Sequence, residues 1–219
     1  MIPGMTDAPQ TPTPVGGWSD ATQVEWYVDR IGKLEARRAG EQMLADTLPP
    51  SPRRVLDLGC GDGRLAARVL DERPSVEAVV AVDCSPPMLE LARARFATDP
   101  RVAVRVWDLQ DALTPLGAFD LVVAGFSIHH VEDSRKRQLF REVAAQLTRD
   151  GVFINLEVVA SATPARHAEF LALIGRTADD PEDRLATIED QLAWMRDAGL
   201  TNVDCLWRWR GFALLVGEA

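Results

Sequence analysis

The chain has 219 residues, with 33 acidic against 24 basic side chains and a formal net charge of −9. That length suits one α/β core with a modest appendage, and the acidic balance argues against a nucleic-acid partner, because the densest basic runs, Arg135-Lys136-Arg137 and Arg208 with Arg210, are short. Three cysteines (Cys60, Cys84, Cys205) without a C-x-x-C argue against a disulfide framework, and no apolar run reaches the roughly 18 residues of a membrane span. With no basic stretch followed by an apolar one at the start, the expectation is a cytoplasmic protein.

Residues 1–17 are rich in Pro and Gly and read as a disordered tail. Ser19-Asp20 offers a helix cap, and Ala21 to Leu48 read as helical, with Val24, Tyr27, Val28, Ile31 and Leu34 on one face. Gly32 and Gly40 allow a break into two helices, and Pro49-Pro50 end the segment. From Arg53 strands and helices alternate. Arg53 to Leu58 is a strand, Arg64 to Glu72 a helix, and Ala78 to Val82 an apolar run expected of a parallel strand buried on both faces. Met88 to Ala97 follows as a helix, Val102 to Val106 and Phe119 to Ala124 as strands, and Asp133 to Leu147 as a helix. A turn at Asp150-Gly151 leads to a strand over Val152 to Val158. Thr163 to Ile174 and Ile188 to Ala198 read as helices around a polar loop; Asn202 to Trp209 and Phe212 to Val216 read as a closing antiparallel hairpin. This order predicts an α/β fold with a mostly parallel sheet and one reversed strand.

The chemistry centres on Val55-Leu56-Asp57-Leu58-Gly59-Cys60-Gly61-Asp62-Gly63, a strand, a glycine turn and a helix start. Gly59 and Gly61 remove side chains where a ligand meets the backbone, and Gly63 lets the helix begin close by. Arg64 stands where a dinucleotide fingerprint has its third glycine, and Asp57 stands where it would repel a pyrophosphate. Both disfavour a dehydrogenase and favour a nucleoside ligand with an ammonium group. In such sheets the ligand lies across the carboxyl ends of the strands. Asp83, 20 residues after Gly63, is placed for ribose hydroxyls, and Asp108 for an adenine amine. Met88 is placed to cover the purine.

These residues resemble the class I S-adenosylmethionine-dependent methyltransferases. The resemblance runs from the glycine turn through Asp83, Trp107-Asp108-Leu109, Phe119-Asp120-Leu121-Val122 and Ser127-Ile128-His129-His130-Val131 to Gly151 and the strand after it, covering about residues 50 to 218. Arg149-Asp150 replaces the usual Pro-Gly before Gly151. The resemblance implies a three-layer α/β/α Rossmann-like fold with a seven-stranded sheet, in a domain spanning 50–219 beneath an N-terminal helical lid at 18–49. It implies S-adenosylmethionine as cofactor. Asp57 and the Gly59 and Gly61 backbone would meet its methionyl part, Asp83 the ribose, Asp108 and Leu109 the adenine, and Gly125 the sulfonium end, with Cys60, Gly63, Cys84 and Met88 also among the expected cofactor-binding residues.

Candidate bases are His129 and His130 after the fourth strand, with Glu157 at the end of the fifth. Tyr27 and Arg30 on the N-terminal helix are candidates for closing over the cofactor, Arg30 by pairing with its carboxylate. No metal ligands are expected. The reading is methyl transfer to a small-molecule acceptor at oxygen or nitrogen, with a homodimer left open. The alternatives are a transferase acting on tRNA wobble uridine, an enzyme making a carboxylated cofactor analogue, and a cofactor-binding regulatory subunit without catalysis.

Overall fold

The computed structural model describes residues 17–113 and 116–219, so the expectation for the tail lies, except for Gly17, outside the described residues. The elements are α1 (Ala21–Ile31), α2 (Glu35–Thr47), β1 (Arg54–Leu58), α3 (Arg64–Glu72), β2 (Ala78–Asp83), α4 (Pro86–Arg95), β3 (Val102–Val106), β4 (Phe119–Gly125), a 3-10 turn (Ile128–His130), α5 (Asp133–Ala144), β5 (Leu147–Val158), α6 (Pro164–Leu173), α7 (Ile188–Asp197), β6 (Thr201–Trp209) and β7 (Phe212–Glu218).

The seven strands form one sheet in the order β3-β2-β1-β4-β5-β7-β6. β1 to β5 pair in parallel, and β7 runs antiparallel to both β5 and β6, making it the one reversed strand. The sheet divides two cores. Along β4, Val122 and Ala124 face a core shared with Leu139 and Phe140 of α5 and Trp194 and Met195 of α7. Leu121 and Val123 face a core shared with Leu44 of α2, Val69 of α3 and Phe170 of α6. This is the period-two alternation of a strand buried on both sides.

Several boundaries differ from the sequence expectation: the helix expected to reach Leu147 ends at Ala144, with Leu147 opening β5, and the last strand runs on to Glu218. The N-terminal helical segment breaks at Gly32, not at Gly40, which lies inside α2. A Cβ on Gly40 would meet Leu156 and Trp207 at 2.9 Å, so this glycine lets α2 lie close on the sheet. Helix α4 begins at Pro86 because Ser85 caps it and proline is tolerated in a first turn. The turn expected at Asp150-Gly151 lies within β5: Phe119 pairs with Leu147 and Leu121 with Val152, so the extra residues form an irregularity in the strand. A side chain on Gly151 would strike the Phe119 carbonyl at 2.9 Å. Among the described residues no helix is long and apolar enough to cross a membrane.

Candidate functional site

A cavity of about 430 Å³ opens at the carboxyl ends of β1 to β4, between the glycine turn and the segment around Trp18 and α1–α2. In this kind of sheet, that is where loops and helix N-termini converge on a ligand.

The glycine turn is fixed by packing as much as by ligand access. Gly59 has φ 67°, and a Cβ there would lie 2.3 Å from Ser127 Cβ; Ser127 in turn donates its hydroxyl to the Leu58 carbonyl at 2.8 Å. Gly63, with φ 78°, caps α3 beneath the Phe96 ring, which a Cβ would meet at 2.4 Å. Gly63 is therefore a packing residue outside the cavity lining, while Gly59, Cys60 and Gly61 line it. Neither Ser127 nor Phe96 follows from local sequence, because each is brought to the turn by a distant element.

Three carboxylates face or flank the cavity from neighbouring strands. Asp57 on β1 is fully buried. Its Oδ2 accepts the Ala66 N–H of α3 at 3.1 Å, and its Oδ1 has no partner. Burial pushes its carboxyl up to about 7, only partly offset by the Ala66 N–H. Asp83 ends β2 and accepts the Gly61 and Ser85 N–H groups, each at 2.8 Å. Burial raises this group too, against those backbone donors. Asp108 follows β3 and accepts the Gln110 N–H at 2.9 Å. Cys84, Met88, Leu109 and Gly125 also line the cavity; burial, followed by the Asp83 charge, pushes the Cys84 thiol up to about 11, so it is not a ready nucleophile.

The facing wall rests on side-chain bonds. Tyr27 of α1 receives a hydrogen bond from Arg37 Nη1 at 2.8 Å, Arg37 pairs with Glu41 at 3.0 Å, and Glu41 pairs with Arg64 at 2.5 Å, linking α1, α2 and the start of α3. The Arg37 guanidinium also lies 4.2 Å from the centre of the Phe126 ring. Phe126 has φ 56°, costly for a residue with a Cβ, and its N–H is held by the Leu156 carbonyl at 2.7 Å. Trp18 stands edge-on to Tyr27 at 4.9 Å and to His130 at 5.6 Å. Trp18, Arg37, Glu41 and Phe126 all line the cavity, and no spacing in the sequence singled them out. Arg30 does not line it. Its guanidinium lies over the Trp26 ring, one helical face away from Tyr27, while Arg37, Arg64 and, from farther along the chain, Arg184 line the cavity.

The three candidate bases separate. His130 lines the cavity, whereas His129 and Glu157 lie behind it. Consecutive residues of a 3-10 turn point in different directions, and on β5 Leu156 takes the cavity side, which leaves Glu157 on the opposite face. Glu157 is fully buried and meets His129 Nδ1 at 2.5 Å. Burial alone pulls the His129 imidazole down, but Glu157, and Asp183 more weakly, outweigh it and raise it overall. Burial, helped by the neighbouring His129 charge, pushes His130 down to about 2, so it is a neutral ring with one N–H donor and one acceptor nitrogen.

The sequence profile of a family described as a methyltransferase domain matches residues 55–151. Over 95 residues the chain is 40% identical to an uncharacterized methyltransferase of Mycobacterium tuberculosis, which is 43% of this chain and 46% of that protein. It is 30% identical over 148 residues to an uncharacterized methyltransferase of Bacillus licheniformis, covering 64% of this chain and 67% of that protein. The matched stretch therefore spans about half of the first relative and two thirds of the second. Among solved structures, an O-methyltransferase family protein from Burkholderia thailandensis superposes with a TM-score of 0.72 at 22% identity, over 91% of this chain and 60% of that one. That last likeness is one of fold.

Proposed function

From the premise that the chain belongs to the class I S-adenosylmethionine-dependent methyltransferases, we propose that its cavity binds S-adenosylmethionine and presents the methyl group to a small-molecule oxygen or nitrogen acceptor. The observation that carries this reading is the row of carboxylates on β1, at the end of β2 and just after β3. These strands are adjacent, so Asp57, Asp83 and Asp108 are spread over about 10 Å, two strand spacings. An adenosyl ligand with an amino-acid tail offers donors over such a span.

The residues fit that ligand. The partnerless, buried Asp57 Oδ1 suits an ammonium group, which would repay the carboxylate's loss of water. Asp83 uses one lone pair on each oxygen for Gly61 and Ser85, leaving one on each for ribose hydroxyls. Asp108 would accept from the adenine amine, and Met88 and Leu109, which also line the cavity, would pack on the base. The bound cofactor supplies a methyl group already activated on a sulfonium. What the chain must add is position and dryness. Trp18, Tyr27, Phe126 and Leu156 give an apolar wall that excludes water, Arg37 gives it a positive charge, and His130 offers a ring nitrogen to orient the acceptor's O–H or N–H. His129 and Glu157 act from behind as positioning residues.

Calorimetry with S-adenosylhomocysteine tests the cofactor assignment. The wild-type protein binds it, and Asp83→Ala weakens binding about tenfold or more, the loss of one or two buried hydrogen bonds. Unchanged affinity in a folded variant would remove Asp83 from the ribose. Labelled-methyl transfer over a panel of small hydroxyl and amine acceptors tests the rest: His130→Ala lowers turnover more than cofactor binding.

A further inference from the structure

At the cavity wall and just behind it, three ligand-type side chains converge from distant parts of the chain: His129 and His130 from the 3-10 turn and Asp183 from the segment between α6 and α7. Their nearest ring nitrogens and carboxylate oxygen all lie within 4.8 Å of one another. His129 Nε2 and His130 Nδ1 each stand 3.5 Å from Asp183 Oδ1. That is too long for a good hydrogen bond. It is close to the edge, about 3.4 Å, of a tetrahedron of ligands bound at zinc–nitrogen and zinc–oxygen distances.

We propose that His129 Nε2, His130 Nδ1 and Asp183 Oδ1 form a binding site for one divalent transition-metal cation of the zinc type, with a fourth position left open.

The surroundings are those of a built site. The Glu157 carboxylate accepts from His129 Nδ1 at 2.5 Å, and its same oxygen accepts the Val158 N–H at 2.8 Å. Glu157 thereby fixes the tautomer that turns the Nε2 lone pair toward Asp183, the carboxylate–histidine arrangement that supports a metal ligand. His130 Nδ1 is buried with no hydrogen-bond partner. A proton on His129 Nε2 pairs that ring with Asp183 and leaves His130 Nδ1 orphaned; a cation satisfies all three. The charges around the three ligands are the buried Glu157 and Asp183 side chains, against Lys136, which already has Asp133 at 3.0 Å, and Arg176, which acts on both His130 and Asp183. Asp183 is held ready, because its neighbour Arg184 donates its N–H to the His129 carbonyl at 2.7 Å and offers its own carbonyl to Lys136 Nζ. Two histidines and one carboxylate with an open vertex are a donor set for zinc and its neighbours. Glu182 and Arg184, on either side of Asp183, line the cavity together with His130. A bound ion therefore ties the segment carrying Asp183 to the cavity wall, and the open vertex is available to water or to a donor atom of the acceptor.

The test uses the full chain, stripped with a chelator and titrated with Zn2+ by calorimetry and with Co2+ by visible absorption. One ion per chain is expected, at a dissociation constant of about 1 µM or tighter, with the intense visible bands of four-coordinate Co2+. Asp183→Asn should abolish those bands, and Glu157→Gln should weaken Zn2+ binding roughly 10- to 100-fold while leaving the stoichiometry unchanged. Circular dichroism confirms that each variant is folded. Should Asp183→Asn misfold, His130→Gln must abolish the bands in its place. Absent Co2+ bands, or bands indifferent to these substitutions, overturn the site in favour of a protonated His129 or of an ion held elsewhere. Calorimetry with S-adenosylhomocysteine on the same samples keeps the two readings apart, since cofactor binding without a metal overturns only this site.

Discussion

Asp57, Asp83 and Asp108 hang from three neighbouring strands, and each is held by backbone N–H groups of the turn or helix beside it: Ala66 for the first, Gly61 and Ser85 for the second, Gln110 for the third. The wall opposite is assembled otherwise. Tyr27, Arg37, Glu41 and Arg64 hold one another side chain to side chain across three helices, and His130 and Arg184 reach the cavity from farther along the chain. A wall fixed by backbone donors tolerates little change, because each carboxylate also sets the turn it hangs from. A wall of side-chain pairs can be rebuilt residue by residue without moving the sheet.

The largest effect should come from Gly59→Ala. The new Cβ meets Ser127 Cβ at 2.3 Å in a backbone at φ 67°. The strain of that conformation and the overpacking together cost about 2–5 kcal/mol. Urea denaturation should show that loss, and calorimetry an S-adenosylhomocysteine affinity reduced beyond the Asp83→Ala level. A variant of wild-type stability would mean that the turn yields, and the contrast between a rigid and an adaptable wall would fail.

Next in size is a pH effect on the same wall. Folding raises Asp57 from its ordinary 3.8 to about 7 by burial. Because the folded value is the higher one, Asp57 contributes stability in full below the ordinary carboxylate range and loses it as the pH rises through about 7. Asp83 shifts in the same direction, so the clean measurement is the difference between the wild type and Asp57→Asn. Ligand-free, the variant should gain about 1–3 kcal/mol over the wild type at pH 8 and little at pH 4. It should also bind S-adenosylhomocysteine more weakly, since the ammonium loses its carboxylate. Near pH 6, binding to the wild type should release a proton, visible in calorimetry across buffers of different ionisation enthalpy. A variant that gains stability and keeps its affinity would take Asp57 away from the ammonium.

The two walls also differ in how far they could be read from sequence. Strand Ala-Val-Val-Ala-Val ending in Asp83, and Asp57 before Gly59, announce their positions, because strand ends and glycine turns are local patterns and the sheet places them in one line. Arg30 and Arg37 look alike in sequence. Only the break at Gly32 and the packing of α2 on the sheet put Arg37 over Phe126 and leave Arg30 over Trp26. His129, His130 and Glu157 were legible as a group, but not which of them faces the ligand. That depends on the alternation of β5 and on a 3-10 turn that nothing in the pattern forecasts. Asp183 lies in a polar loop without periodicity, and its meeting with the histidines is a tertiary event.

The smallest effect should be that of Tyr27→Phe. The hydroxyl accepts one hydrogen bond, from Arg37 Nη1 at 2.8 Å, and Arg37 keeps both its pairing with Glu41 and its place over Phe126 when that bond is lost. The ring stays edge-on to Trp18 because its shape is unchanged. Stability should fall by less than about 1 kcal/mol, as expected for one partly exposed hydrogen bond. Affinity for S-adenosylhomocysteine should stay within about twofold of the wild type, while the acceptor's KM changes several-fold, because the cavity lining loses a hydroxyl and the Arg37 Nη1 donor, still in place, loses its partner. A loss of cofactor affinity as large as that of Asp83→Ala would return Tyr27 to the cofactor, for which its place on the N-terminal helix makes it a candidate, and would show that the side-chain wall and the backbone wall act on one ligand.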